Sequence, residues 1–268
     1  MRELERQSDD TRPRGALSGP TRIGLVGRGR VGRALASALV AAGYEVAGPV
    51  GRDELPAGEA ILLCVPDREI EPAARAVAGA AALVGHTSGA TPLSALAPAG
   101  AQAFGLHPLL SVTGTAPPRF DGAGCAVAGS TSAALAFAVS TARRLGMSPF
   151  PIDDEQRAAY HAAASVASNF LVTLEASAET LLVETGVDAA EARALLAPLV
   201  RSSVEAWAAL GPRHALTGPV ARGDERTVAL QREAVATARP ELLALFDVMV
   251  ERTRALLAEP TGMAACGS

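Results

Sequence analysis

The stretch Ile23-Gly24-Leu25-Val26-Gly27-Arg28-Gly29-Arg30-Val31-Gly32 decides the fold. A short β-favouring run leads into Gly-x-Gly-x-x-Gly, and an Ala/Leu helical pattern continues to about Ala42, where Gly43 stops it. Tyr44–Val50 then reads as a second strand. The glycine pattern alone is weak, but a strand before it, a helix opening within it and a second strand at the right distance make it strong. Gly27 permits a tight turn, Gly29 lets a diphosphate approach the backbone, and Gly32 lets helix and strand pack closely. The free N–H groups and dipole at the head of the helix attract the anion.

Outward from this unit, further strands are expected at Ala60–Val65, Ala81–His86, Ala101–Leu106, Cys125–Ala128 and Ser148–Ile152. The continuous apolar run of Ala60–Val65 suits a strand buried on both faces. Pro66-Asp67 opens a helix to about Ala78, Thr91-Pro92 caps a short one, and Ser130–Leu145 is a third, stopped by Gly146. After Asp153 only helical patterns follow. One runs to about Glu184, and a second runs from the cap Asp188 to about Leu210 with a kink expected at Pro198. Gly211–Gly223 reads as a polar loop, followed by helices over Asp224–Ala238 and Pro240–Leu257. The pattern predicts an α/β fold: a Rossmann doubly wound parallel sheet over 21–152, followed by an all-α C-terminal domain over 153–258. Residues 1–20 read as a flexible extension and 259–268 as a tail. Only nine residues, Gly51–Glu59, join the second and third strands, so the second crossover helix is expected to be missing or reduced to a turn.

Composition narrows the functions. The chain of 268 residues is 49% hydrophobic, enough for a sizeable core, and its net charge of −4 leaves no basic footprint for nucleic acid. No lysine occurs, so every fixed positive charge is arginine. The three cysteines, Cys64, Cys125 and Cys266, have no metal-type spacing and read as thiols in a reducing cytosol. With no secretory h-region and no run of about 18 apolar residues, a cytoplasmic protein without a membrane partner is expected. The Ala/Leu-rich C-terminal helices suggest a homodimer.

The second strand runs into Pro49-Val50-Gly51-Arg52 rather than ending on an acid. Arg52 is placed for a 2′-phosphate, with Arg28 and Arg30 nearby, so NADP is expected over NAD; Asp53 and Glu54 would serve NAD instead. Val31, Val65 and Pro66 join the expected cofactor contacts. Ligands in such sheets bind beyond the strand C-termini. That places Ser88, after His86 and Thr87, and His107, before Pro108, near nicotinamide or a small-molecule substrate. His161, Ser165 and Asn169 recur every four residues on the first long helix and would share a face, each step drifting about 40° round the axis. A polar stripe on a solvated face explains the same spacing. Thr217, Arg222 and Asp224 could contact an acidic substrate or a second subunit; Asp224 reads equally as a helix cap.

The order G-R-G-R-V-G, C-V-P-D, H-T-S-G-A, L-H-P-L, Y-H-A-A-A-S-V-A-S-N and L-T-G-P-V-A-R-G-D resembles, over about Thr21 to Leu257, the Rossmann-like oxidoreductases whose C-terminal half is domain of unknown function 2520. The group is similar in domain order to ketopantoate reductase, pyrroline-5-carboxylate reductase and prephenate dehydrogenase. In ketopantoate reductases a lysine and two asparagines follow at four-residue steps on the first helix of the second domain; by motif position His161, Ser165 and Asn169 match them, two of the three changed. The His-Pro at His107 resembles the motif whose histidine binds the substrate hydroxyl in prephenate dehydrogenases. The resemblance implies NADPH-dependent reduction of a small carbonyl acid such as ketopantoate. His161 would be the acid, with Asn169 and Ser165 on the oxygen, His107 or Ser88 orienting the substrate, and Arg222 on its carboxylate. An arogenate- or prephenate-type dehydrogenase, in which His107 matters more, and a non-catalytic NADP(H)-binding regulator are the alternatives.

Overall fold

A computed structural model describes residues 20–52, 54–114 and 118–259. The expected extension up to residue 19, Asp53, Cys266 and the tail from residue 260 lie outside the described residues. The chain divides into two compact units, Met1–Ser168 and Asn169–Ser268. The domain boundary read from the sequence, at 152, falls at the end of the last strand; the units divide further on, inside a helical stretch.

The first unit is one seven-stranded sheet: β1 (Arg22–Val26), β2 (Glu45–Val50), β3 (Ala60–Leu63), β4 (Leu83–His86), β5 (Gln102–Pro108), β6 (Gly124–Gly129) and β7 (Ser148–Pro151). Their order is β2-β1-β3-β4-β5-β6-β7. Only the β5–β6 pair is antiparallel, so this is the doubly wound, mostly parallel sheet that the alternation predicts. Strand order reverses at β1, between β2 and β3, which makes the C-terminal end of β1 the switch point where such sheets bind ligands.

The period of two along β3 splits its side chains between two cores. Ala60 and Leu62 face the core that holds Leu35 and Leu39 of α1 (Arg30–Ala41) and Phe137 and Ala138 further along the chain. Ile61 and Leu63 face Ile70 and Ala74 of α2 (Ile70–Ala76), with Leu96 and Ala99 of a 3₁₀ helix, Leu93–Ala99. The residues Phe137 and Ala138 belong to α3 (Ser132–Arg144), capped by Thr131, whose hydroxyl accepts from the Ala134 amide at 3.1 Å.

Among its described residues the second crossover carries no helix. Pro56 lies against β1, and Gly24 makes the room: a methyl group there would lie 3.0 Å from the Pro56 ring. The segment is anchored where Glu59 accepts from the Thr21 amide at 2.7 Å and the Arg22 amide at 3.1 Å.

Three local expectations are corrected. His107 and Pro108 do not follow β5 but end it, paired with Ala126 and Cys125 of β6. Thr91 does not cap the short helix; the Leu93 amide donates instead to the Asp154 carboxylate, at 3.0 and 3.1 Å. The long helix after Asp153 is not uniform. A 3₁₀ turn (Asp154–Gln156) leads into α4 (Arg157–Ser165), then a π turn (Val166–Phe170), then α5 (Leu171–Val183). The π turn widens the repeat between Ser165 and Asn169, so the 3.6-residue argument that put Asn169 on the His161 face fails there.

In the second unit α5 is followed by α6 (Ala189–Leu210), which runs through Pro198 as one helix and is capped by Asp188 through the Ala190 and Glu191 amides. The expected loop at 211–223 holds two short helices, α7 (Pro212–Ala215) and α8 (Gly218–Ala221), before α9 (Glu225–Ala238) and α10 (Leu243–Ala258). Paired bonds of 2.8 Å tie α5 to α6 through Glu179 and Arg193, and α9 to α10 through Asp247 and Arg232. Of this unit's described residues only Ala192, Val228 and Val235 are buried, while Leu195, Leu199, Trp207 and Leu210 are more than half exposed.

The sequence was expected to hold no stretch apolar enough to span a membrane. The continuous helical stretch Asp154–Val183 nevertheless passes by length and composition, with a mean hydropathy of 1.2 over its best window. Serine, threonine and asparagine break its apolar runs, which is why counting uninterrupted apolar residues missed it. Its Thr173 and Ser177 hydroxyls bond back to the Asn169 and Thr173 carbonyls at 3.1 and 3.0 Å.

If the strap across β1 depends on the missing side chain at Gly24, Gly24→Ala overpacks it against the Pro56 ring. Such overpacking costs about 1–3 kcal/mol, and thermal unfolding should begin roughly 2–10 °C lower. Calorimetry with an unchanged transition would show that the strap yields freely.

Candidate functional site

The turn after β1 is built as a cradle. Gly27 has φ +111, and a methyl on it would lie 2.2 Å from the Cys64 carbonyl oxygen. A methyl on Gly32 would lie 1.9 Å from the Gly27 carbonyl oxygen, so this glycine is what lets α1 approach the turn. Gly29 differs: it is the N-cap of α1, its φ of −70 suits any residue, and a methyl there would meet nothing within 4 Å. No side chain caps α1, and no acidic residue occupies its first turn. The amides at its head therefore face open space, with the positive end of the dipole behind them.

Beside the cradle lies a cavity of about 650 Å³ lined by Val26, Gly27, Arg28, Arg52, Val65 and Pro66, among others. Two of the three expected arginines, Arg28 and Arg52, reach it, and each is matched by a carboxylate. Arg28 donates to Glu54 at 2.6 Å, and Arg52 pairs with Glu69 at 3.1 Å. Arg30 points elsewhere, donating to the Thr113 carbonyl at 3.3 Å. Val31 packs against the core. The sequence reading missed Glu69, and it treated Glu54 as a ribose ligand rather than as the partner of Arg28. Only the strand topology, which brings together the loops after β1, β2 and β3, makes these pairs visible.

A second cluster sits at the C-terminal ends of β4 and β5, outside the lining of that cavity. A methyl on Gly89 would lie 2.9 Å from Cε1 and 3.0 Å from Nε2 of His107, and 3.0 Å from Cδ2 of His161. The two imidazoles thus frame the space over Gly89, their centroids 6.4 Å apart. Nδ1 of His107 is 2.5 Å from the Tyr160 hydroxyl. Burial, then the neighbouring His161, lower the His107 pKa to about 4. Burial pushes Tyr160 up to about 12. His161 is exposed, Ser165 half-buried and Asn169 exposed.

Ser88, expected near nicotinamide, is structural in its side chain. Its hydroxyl accepts from the amides of Ala90 at 3.2 Å and Thr91 at 2.9 Å, closing the turn after β4. His86 is fully buried beneath that turn, and its Nδ1 accepts from the Ser88 amide at 3.2 Å. Burial, with the Arg157 charge second, lowers His86 to about 4. Arg157 is itself buried, 3% exposed, held by Asp154 at 2.6 Å and reaching the Ser88 carbonyl at 3.5 Å. This guanidinium fixes the helix that carries Tyr160 and His161 to the turn that carries Gly89. Its spacing, four before His161, was legible in the sequence; its burial was not.

Thr217, Arg222 and Asp224 lie in the second unit. Thr217 is the exposed N-cap of α8 and Arg222 an exposed residue after it. Asp224 has its capping role: it accepts from the Thr227 amide at 3.1 Å and hydroxyl at 2.7 Å, bonds that lower its pKa. Among the described residues no group of three metal-ligating side chains occurs, and Cys64 and Cys125 are buried, each thiol pushed up to about 12 by desolvation.

Residues 123–253 match the family model described as domain of unknown function (DUF2520). The match takes in just under half of the chain. Among solved structures, a Bacteroides fragilis protein described as a candidate NADP oxidoreductase is 21% identical, covering 88% of this chain and 98% of its own at a TM-score of 0.74. A Thermotoga maritima protein is 25% identical over 88% of this chain and 98% of its own, with a TM-score of 0.72. Plasmodium falciparum pyrroline carboxylate reductase, solved with NADP bound, aligns at 12% identity, TM-score 0.57, over 89% and 98% of the two chains. No curated protein matches. At these identities the likeness speaks for the fold, a Rossmann sheet followed by helices, and the DUF2520 match covers the end of the sheet and most of the helical unit.

The buried, neutral His86 links stability to pH. Its folded pKa, about 4, lies below the unfolded value near 6.5, so between these pH values the unfolded chain binds the extra proton. Its contribution is fully present above pH ~6.5 and is lost as pH falls towards ~4. The urea midpoint of the wild type should therefore fall across this window, and His86→Asn, which keeps an acceptor near Nδ1, should flatten the fall. An identical slope in both proteins would remove His86 as its source.

Proposed function

We propose that this DUF2520 protein is an NADP(H)-dependent oxidoreductase that reduces a small carbonyl acid, with a ketopantoate-like 2-keto acid the leading substrate class. One observation carries the reading. The uncapped head of α1 opens beside Gly29, where no protein atom lies within 4 Å of an added methyl, so the space suits a dinucleotide diphosphate. The adjoining cavity of about 650 Å³ lies in the range of cofactor sites. Arg28 and Arg52 would hold a 2′-phosphate after exchanging their carboxylate partners for it. Two of the similar structures, the Plasmodium reductase and an Aspergillus terreus reductive aminase, carry NADP or NADPH.

When bound, the reduced nicotinamide supplies a hydride to the carbonyl carbon. His107 orients the substrate oxygen from its fixed position over Gly89. His161, exposed at the same space, gives the oxygen its proton and regains one from water. Thr217 and Arg222 remain candidates for a substrate carboxylate. Ser165, one α-helical repeat from His161, and Asn169, which lies in the π turn and lacks that support, remain candidates on the oxygen. We assign the protein to the cytoplasm.

The helical unit is proposed to pair two copies of the chain. Leu195, Leu199, Trp207 and Leu210 of α6 are exposed apolar side chains that a second copy would cover. In α5, Glu179 is ion-paired with Arg193, which favours a protein partner over lipid. Light scattering of the intact chain should give twice the chain mass, and Trp207→Glu should shift it towards one; a monomeric wild type would refute the pairing.

Fluorescence titration with NADPH and NADH tests the cofactor reading. NADPH should bind more tightly, and Gly29→Ala should weaken it by about 10-fold or more without moving thermal unfolding, since only the ligand approaches that position. Turnover is then read as NADPH absorbance with a panel of 2-keto acids. No binding of either nucleotide would end the reading.

A further inference from the structure

We propose that Tyr160 is a positioning residue for His107. Its phenol donates to Nδ1, which fixes the neutral imidazole in the tautomer protonated on Nε2 and presents Nε2–H over Gly89 as the donor to a substrate carbonyl oxygen. This rests on the reading of the cleft as a carbonyl-reducing site.

The geometry carries the assignment. The Tyr160 hydroxyl lies 2.5 Å from Nδ1, and the two rings meet edge to face with centroids 5.5 Å apart. Phe150 of β7 packs on the other side of Tyr160 at 5.8 Å. The phenol is therefore held by two rings and its hydroxyl aimed at one nitrogen. Burial keeps the phenol protonated and the imidazole uncharged, so the bond joins two neutral groups, and in the proposed arrangement the phenol is its donor. Nδ1 being an acceptor, the single imidazole proton resides on Nε2, the atom 3.0 Å from where a Gly89 side chain would begin. The charged or titratable groups that act on His107, namely His161, Arg157 and Asp67, do not change its neutral state, because burial, His161 and Arg157 outweigh the carboxylate.

The consequence is a direction for the chemistry. An imidazole with Nδ1 engaged and a proton on Nε2 is a donor with no free lone pair. It polarises a carbonyl oxygen but cannot take the proton of a hydroxyl. His107 thus favours the carbonyl as the bound form and leaves proton supply to His161 or water.

Histidine-selective long-range ¹H–¹⁵N correlation spectra of the full-length protein at pH 7 test the tautomer without any substrate. The His107 signals should show neutral imidazole with Nε2 protonated. In Tyr160→Phe, which keeps the ring packing, both tautomers should appear, and kcat should fall about 10- to 100-fold with the KM for NADPH unchanged. Imidazolium or Nδ1–H in the wild type, or a single unchanged tautomer in Tyr160→Phe, would overturn the proposal. Failure of NADPH to bind would strike the cofactor reading alone, since the spectra stand without it.

Discussion

Everything in the first unit is arranged around the close approach of α1 to the turn after β1. Gly27 turns where a side chain would strike the Cys64 carbonyl, and Gly32 brings the helix within 1.9 Å of collision between a would-be methyl and the Gly27 carbonyl. The residue at the head of the helix is Gly29, which has no side chain with which to cap it. The head of the helix remains with unmatched donors and the positive end of its dipole. A fold normally satisfies such groups from within; here they face open space. The reversal of strand order at β1 supplies the crevice into which they point.

The second constraint is electrical. The first unit brings a buried imidazole, a half-buried one and a buried guanidinium into one small region at the ends of β4 and β5. The Arg157 guanidinium is met by the Asp154 carboxylate at 2.6 Å. The imidazoles stay neutral because burial and that nearby cation both oppose a second positive charge. One result is structural, a turn held by Ser88, His86 and Arg157. The other is chemical, a histidine at the cleft whose protonation state does not depend on ordinary changes of pH. His161, by contrast, is exposed. Two histidines 6.4 Å apart thereby stand in different surroundings.

The arginines of the cavity beside the β1 turn show the same logic at lower stakes. Arg28 and Arg52 are exposed and paired, so each ion pair contributes little to stability and is readily exchanged. A dianionic phosphate offers each guanidinium a stronger, bidentate partner than a single carboxylate. The pairs keep the cavity nearly neutral until such a partner arrives. They also explain why a sequence in which Arg52 precedes Asp53 and Glu54 reads ambiguously between the two dinucleotides.

The sequence by itself determined the order of elements, the glycine cradle and the absence of a crossover helix over 51–59, because these follow from local rules: periodicity, positive φ and chain length. Asp188 and Asp224 as caps belong to the same class. Only the tertiary structure decided the site. The π turn at Val166–Phe170 broke the helical repeat on which Asn169 was placed, and the turn after β4 took up the Ser88 hydroxyl. Tyr160 stands beside His161 in the sequence, yet its partner is His107, more than fifty residues away. Burial, tautomer and charge pairing depend on what the fold packs around a group, and no local pattern of residues encodes that.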